Sequence, residues 1–424
     1  MKPGNIIPVA VCALTVLLAL WSCGSRKTDV GGKVTVEFWT MQLSPILDDY
    51  INGSITEYEQ ANPDVSIKWV DIAWADMERK LLSSVAAGTA PDVANLNPQF
   101  SSKLAEFGAL HDPEAFLSSE IVQSYFTNVW EANRLNGQTF GVPWYLSTNV
   151  AIYNRAIFEA ANASFPQTLE DIPEIGRSIK QATGKYTYFP GFDGGEPMEN
   201  YVLLGGKISS ELPGYGLRED AVRELLTYYA ALYESGAVPP SVLIEGHQKS
   251  VDLFQSGELA MLLSGMQMLP NIESNAPELI NDIVVQAHPN ADEGRTNIAA
   301  MNLVVPTQTD YPREAFEFIT FMTSPEKQTE MAELVPILPS TPESLNDPFF
   351  EMTDPDDRFQ LARAYSIEQL RGGGVLLPPL KNYSRLRTAF VRQTQRTMLG
   401  ELSTEEGAGK IISDWTRISE VESD

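Results

Sequence analysis

An α/β fold built in two domains is what this sequence predicts, and three observations predict it. β-rich and helix-like stretches alternate from residue 34 onward, the pattern of right-handed βαβ units around a parallel sheet. The chain has 424 residues, more than one ordinary core accommodates, so two domains are expected. A hydrophobic content of 43% with 20% charged residues belongs to globular chains rather than disordered or membrane-spanning ones.

The elements follow in order. Residues 34–39 alternate and are β-rich, so they read as a strand. A helical stretch over 45–60 ends at the turn signal Asn62-Pro63-Asp64, and a second strand covers 65–70. Residues 77–87 have helical spacing and stop at Gly88, a good C-cap residue. A third strand, 92–96, follows Ala90-Pro91. Ligands of such sheets bind beyond the carboxyl ends of the strands, here 39–42 and 95–99. Further helices are expected over 169–183, 218–235, 311–322, 325–334, 357–370 and 384–399, with a Gly/Pro-rich loop at 189–195. Leu225, Leu226, Tyr229, Leu232 and Tyr233 share one helical face and read as a core stripe. No internal repeat is visible.

Charge and cysteine usage narrow the function. Acidic residues outnumber basic ones 56 to 30, a formal charge of -26. Such a field repels phosphate backbones, and no basic run interleaved with aromatics offsets it, so nucleic acid is not an expected partner. The two cysteines, Cys12 and Cys23, lie in the first 23 residues, which excludes a disulfide framework or thiolate metal site in the body. Lys2 and the apolar run 6–20 form a signal-peptide pattern shorter than a spanning helix. Leu20-Trp21-Ser22-Cys23 resembles a bacterial lipobox. Leu20 and Ser22 fit it, and Trp21 is bulkier than the pattern prefers. This implies a signal peptide over 1–22, lipidation of Cys23, a flexible tether over 23–33, and an exported protein held on the outer side of the cytoplasmic membrane or in a periplasm.

Four stretches then carry a resemblance. Ala86-Ala-Gly-Thr-Ala-Pro-Asp92 follows an amphipathic helix. Asn136-Gly-Gln-Thr-Phe-Gly-Val-Pro143 precedes Ala151-Ile-Tyr-Asn154 and Phe158. Phe254-Gln-Ser-Gly-Glu-Leu-Ala-Met261 leads to Gly265. Ala315-Phe-Glu-Phe-Ile-Thr-Phe-Met-Thr-Ser-Pro-Glu326 precedes Pro336-Ile-Leu-Pro339. In this order they resemble the extracellular solute-binding proteins of the maltose/oligosaccharide class. The resemblance implies a periplasmic-binding-protein-like fold: two lobes, each with a mostly parallel sheet flanked by helices, joined by crossings near Trp144, Asn297 and Thr341. The N-terminal lobe would hold 34–144 plus 298–341, and the C-terminal lobe 145–297 plus 342–424. It further implies hinge closure on a ligand, delivery to the permease subunits of an ABC importer, a monomer, and no cofactor.

A sugar presents apolar CH faces and a rim of hydroxyls, so its site needs aromatic platforms with amide or carboxylate partners. Trp39 with Gln42, Trp74, Asn97 with Gln99, and Trp144 with Tyr145 fall near strand ends or the hinge, and Asp193 lies in a glycine-rich loop. Relatives carry a tryptophan two residues after the glycine matching Gly265. Here that position is Gln267, beside Met266, which implies an amide contact in place of a stacking face. Tyr383 matches a late aromatic of the family. Both lobes are expected to contribute, because shifting a hinge from 1:99 to 99:1 takes about 5.5 kcal/mol of preference for the closed form.

Enzyme motifs are missing. His111, His247 and His288 are scattered without metal-ligand spacing, and no G-x-S-x-G elbow, Walker A loop or H-E-x-x-H stretch occurs. Asp354-Pro-Asp-Asp357 lacks the glycine and closing glutamate of a calcium loop. Neither catalysis nor a metal is expected. The competing readings are a ligand-loaded receptor signalling to a membrane sensor and, from another class, a polysaccharide-processing surface hydrolase built on a carboxylate pair.

Overall fold

The computed structural model describes residues 32–209, 212–290 and 296–420. The signal peptide, Cys23 and most of the tether lie outside the described residues. Among the described residues no helix is long and apolar enough to cross a membrane.

The chain opens with β1 (Val34–Met41), α1 (Asp48–Ala61), β2 (Val65–Ile72), α2 (Trp74–Ala87), β3 (Val93–Leu96) and α3 (Pro98–Glu106). This is the strand–helix alternation expected. β1 pairs in parallel with both β2 and β3. Alternation along β1 sends Val36 and Phe38 into one hydrophobic core and turns Trp39 toward another. α2 ends where expected, with Gly88 in the left-handed conformation at φ 69° and its N–H closing on Ser84 and Val85.

Two short helices, α4 (Ser119–Gln123) and α5 (Thr127–Ala132), and the small hairpin of β4 (Arg134–Leu135) and β5 (Gln138–Thr139) lead into β6. β6 runs 13 residues, Val142–Asn154, and joins the two halves of the molecule. From Val142 to Thr148 it pairs antiparallel with β9 (Ile298–Val304), and Leu146 and Tyr145 pair with β10 (Leu338–Pro339). From Asn149 to Asn154 it pairs antiparallel with β7 (Met261–Gly265) and β8 (Ile283–Ala287). Pro143 has no N–H to donate, and the register shifts between it and Tyr145. The mostly parallel sheets expected are thus confined to β1–β3. Every other pairing in the main sheet is antiparallel, including β3 with β9, because β6 and the return strand β9 run in opposite directions through the middle.

The remaining helices are α6 (Arg155–Ala160), α7 (Ile172–Thr183), α8 (Glu196–Leu203), α9 (Glu219–Glu234), α10 (His247–Gln255), α11 (Met268–Asn275), α12 (Pro312–Met322), α13 (Pro325–Leu334), α14 (Arg358–Gly372), α15 (Tyr383–Met398) and α16 (Thr404–Ser419). The largest core joins Val150, Ile152 and Tyr153 of β6 to Leu225, Tyr229, Phe254, Phe390 and Trp415. The stripe on α9 lies in it as expected: Leu225, Leu226, Tyr229 and Leu232 are buried, with Tyr233 packed at its edge. Two further cores sandwich β1–β3. One contains Phe38, Ile51, Trp130, Trp144 and Phe318; the other contains Met77, Leu81, Leu96, Phe100 and Leu104.

Candidate functional site

A cavity of about 460 Å³ opens between the two halves. One wall is α2 and α3, with Glu78, Asn97, Gln99, Lys103, Glu106 and Phe107; the other is the 193–195 loop and the start of α15, with Asp193, Tyr383, Arg385 and Arg387. The first wall exists because β3 ends in Asn97-Pro98. Asn97 N-caps α3, its Oδ1 accepting the Phe100 N–H at 2.8 Å, and Pro98 occupies the first helical turn. The second wall is built by the loop the sequence marked as Gly/Pro-rich. Tyr188, Phe189 and Phe192 anchor it in the core, and Arg387 donates to the Asp193 carbonyl.

The structure brings four of the expected site residues together here: Asn97, Gln99, Asp193 and Tyr383. Asp193 has a structural task as well. Its Oδ1 accepts the His247 N–H at 3.0 Å, capping α10, whose own N-cap residue is Gly246 without a side-chain acceptor.

The other expected residues lie elsewhere. Trp39 is partly buried beside β2 and donates from Nε1 to Glu37 at 2.7 Å. Gln42 is exposed, and its Oε1 accepts the Trp74 N–H at 3.2 Å at the start of α2. Trp74 is half-exposed. None of the three lines the cavity. Trp144 is not a platform in this structure: it is wholly buried, its ring 5.9 Å from Phe38 and 5.4 Å from Tyr145, because its face of β6 points into the core. Tyr145 is half-buried, its hydroxyl 3.5 Å from Asn95 Oδ1. Met266 is buried in a separate groove against Leu269, Val335 and Phe359, and Gln267 stands exposed beside Gly265.

Two carboxylates behind the second wall escaped the sequence reading. Glu196 and Glu199 occupy the first turns of α8 and are partly buried. Glu196 accepts the Tyr188 hydroxyl on one oxygen and the Gly191 N–H on the other at 2.5 Å. Burial pushes its carboxyl up to about 7, against these two hydrogen bonds. Burial, then the neighbouring charge of Glu196, lifts Glu199 to about 7 as well, against a hydrogen bond from the Asn297 side chain. A Cβ on Gly195 would sit 2.9 Å from Glu199 Oε1 and 3.0 Å from the Tyr383 hydroxyl, so both groups converge on the space beside this glycine. The only sequence signal was two acids three apart after Gly194-Gly195. Acids in a first helical turn ordinarily just complement the helix dipole.

Three acidic and three basic side chains line the cavity, so it does not share the acidity of the whole chain. Amides, hydroxyls and an aromatic ring in a charge-balanced slot suit a polar ligand with no net charge. Among the described residues no cluster of His, Cys, Asp and Glu could hold a metal ion.

Known proteins share this fold. A candidate oligosaccharide periplasmic-binding protein from Synechococcus sp. MITs9220 superposes with a TM-score of 0.83 at 31% identity, covering 91% of this chain and 98% of that one. An uncharacterised lipoprotein from Streptomyces antibioticus is 25% identical over 79% of this chain and 77% of its own. The multiple sugar-binding protein of Streptococcus mutans is 20% identical over 73% and 76%. The profile of the bacterial extracellular solute-binding proteins matches residues 54–355. That span takes in α2, α3, the 193–195 loop and the strand that joins the two halves, with α15 beyond it, and the chain belongs to the bacterial extracellular solute-binding protein family.

Proposed function

We propose that the protein captures a mono- or oligosaccharide in the cavity between α3 and α15 and hands it, unaltered, to the permease subunits of an ABC importer. The observation that carries this reading is a charge-balanced slot walled from both halves of the molecule by Asn97, Gln99, Asp193 and Tyr383. The names of relatives point the same way: multiple sugar-binding, diacetylchitobiose-binding and lactose-binding proteins.

The two halves are the lobes, 34–144 plus 298–341 and 145–297 plus 342–424. Support for the division comes from β6, whose pairing passes from β9 to β7 and β8 at Thr148–Asn149, and from Asn297, which enters β9. The third crossing is near Thr341. The mature protein is a monomer held at the membrane by lipid on Cys23, on the extracytoplasmic side.

A thermal-shift screen of the purified protein against neutral mono- and oligosaccharides tests the proposal. A ligand at 100 times its dissociation constant stabilises the fold by about 2.7 kcal/mol, a shift of several degrees or less for a chain of this size. Chromatography of the recovered ligand completes the test. No stabilisation by any saccharide, or cleavage of the one that binds, overturns the proposal, and cleavage would favour the hydrolase reading.

A further inference from the structure

Beside the cavity between α3 and α15 lies a second, much smaller niche. Its volume is about 20 Å³, against about 460 Å³ for the cavity, and both are lined by Gln99, Ser102, Leu380 and Tyr383. One wall of the niche is the segment 375–380, Val-Leu-Leu-Pro-Pro-Leu. Its approach is fastened by three hydrogen bonds. Ile298 N–H donates to the Gly374 carbonyl at 2.9 Å, Leu376 N–H to Asn297 Oδ1 at 3.1 Å, and the Asn128 side-chain amide to the Gly373 carbonyl at 2.8 Å. Phe140 and Ala300, both buried, line the niche from the other half of the molecule.

The lining of this niche is apolar where the cavity is polar. Pro98, Pro378 and Pro379 contribute to it, and none of them has an N–H to offer. Asn133 spends its amide on Asn302, its Nδ2 donating to Asn302 Oδ1 at 2.8 Å and its Oδ1 accepting from Asn302 Nδ2 at 3.1 Å. Ser102 Oγ donates to the Gln99 carbonyl at 3.1 Å. A buried water needs about two to four polar partners. Beyond Gln99 and Tyr383, which the niche shares with the cavity, its lining side chains are apolar or already paired. One water-sized group takes about 10–15 Å³, so the niche accepts one such group and no ring.

We propose that this niche is a subsite for a single methyl group, and that the preferred ligand is a neutral saccharide carrying one methyl beside its hydroxyls. The inference deepens the saccharide reading above and rests on it. A sugar held between Asn97 or Gln99 and Tyr383 sits at the mouth of the niche, because Gln99 and Tyr383 belong to both. A methyl placed there meets Phe140, Ala300, Leu377 and Leu380 and leaves no polar group unpaired. A hydroxymethyl in the same place would bury an O–H with no partner, which is unfavourable. The methyl can come from a deoxy carbon at the end of the ring, from an acetamido group or from an O-methyl group; the chemistry the niche reads is the same.

Calorimetric titration of the wild-type protein with matched sugars tests this. The pairs are D-galactose against D-fucose, whose terminal hydroxymethyl is a methyl, D-glucose against N-acetyl-D-glucosamine, and D-glucose against its methyl glycoside, with maltose and lactose carrying the same substituents. In at least one pair the methyl-bearing sugar should bind about tenfold more tightly than its parent, and that pair identifies the source of the methyl. Two variants fill the niche: Ala300→Val from within β9, and Val375→Phe from its half-buried edge. Each should reduce the preference to near unity while parent-sugar affinity stays within about threefold. Thermal unfolding shows which variants fold, and Val375→Phe decides if Ala300→Val does not. Parent sugars that bind with no methyl preference in any pair overturn the niche and leave the saccharide reading standing. A preference that survives in a folded, niche-filled variant also overturns it. Binding of no sugar at all overturns both.

Discussion

Replacing Glu199 with glutamine should change stability with a sign and a pH range that the fold dictates. Burial first, and the charge of Glu196 second, lift its carboxyl from 4.5 to about 7 in opposition to the Asn297 hydrogen bond. A carboxyl that holds its proton more tightly when folded favours the fold fully below about pH 4.5. It loses that contribution progressively as pH rises through 7. One pKa unit corresponds to ~1.36 kcal/mol, which bounds the effect at about 3 kcal/mol. Partial exposure of the side chain screens the charge and brings the expectation to about 1–2 kcal/mol. Glutamine keeps an acceptor for Asn297 and has no charge to desolvate. Urea unfolding of both proteins at pH 5, 6, 7 and 8 gives the assay. The difference between them cancels the general self-repulsion of a chain carrying -26. Relative to wild type, Glu199→Gln should gain about 1–2 kcal/mol between pH 5 and pH 8. A difference independent of pH, or one that grows toward acid, would refute the reasoning.

Other perturbations follow from the same geometry. Gly195→Val places its Cβ against Glu199, Leu377 and Tyr383 at a residue whose φ of -85° suits any side chain. Crowding of about 1–3 kcal/mol should therefore appear as a roughly tenfold or greater loss of ligand affinity in calorimetry. Asn97→Ala removes the N-cap of α3 and should lower stability by about 1 kcal/mol, whereas Asn97→Asp should retain the cap, as thermal unfolding would show. Trp144→Phe alters a ring in the core whose Nε1 has no hydrogen-bond partner. Ligand affinity should stay unchanged, and a tenfold loss would return this residue to the binding site.

Much of the fold was legible in the sequence because its signals are local. The alternation of 34–39 became β1, Gly88 closed α2 in the left-handed conformation, and the helix expected over 325–334 is α13, Pro325–Leu334. β6 was not legible as one long strand. Pro143 interrupts its pattern, and Val150-Ala-Ile-Tyr153 is buried on both faces, so no period-2 alternation marks it. Residue type could not separate core from cavity among the tryptophans. Trp39 and Trp144 lie near strand ends as a platform would, yet Trp144 packs against Phe38 in one core, while Trp39 turns toward the other and donates to Glu37. Asn97 and Asp193 were found for their chemistry, and each also caps a helix. Glu196 and Glu199 owe their character to burial, which no short sequence window encodes.

The most direct measurement is a crystal structure of the protein with the saccharide selected by thermal shift, soaked at saturating concentration. Density for the intact sugar between α3 and α15, with hydroxyls bonded to Asn97 or Gln99 on one side and its ring against Tyr383 on the other, is the expected result. Sugar bound instead beside Trp39 and Trp74, in the groove around Met266, or present only as hydrolysed fragments would contradict the account.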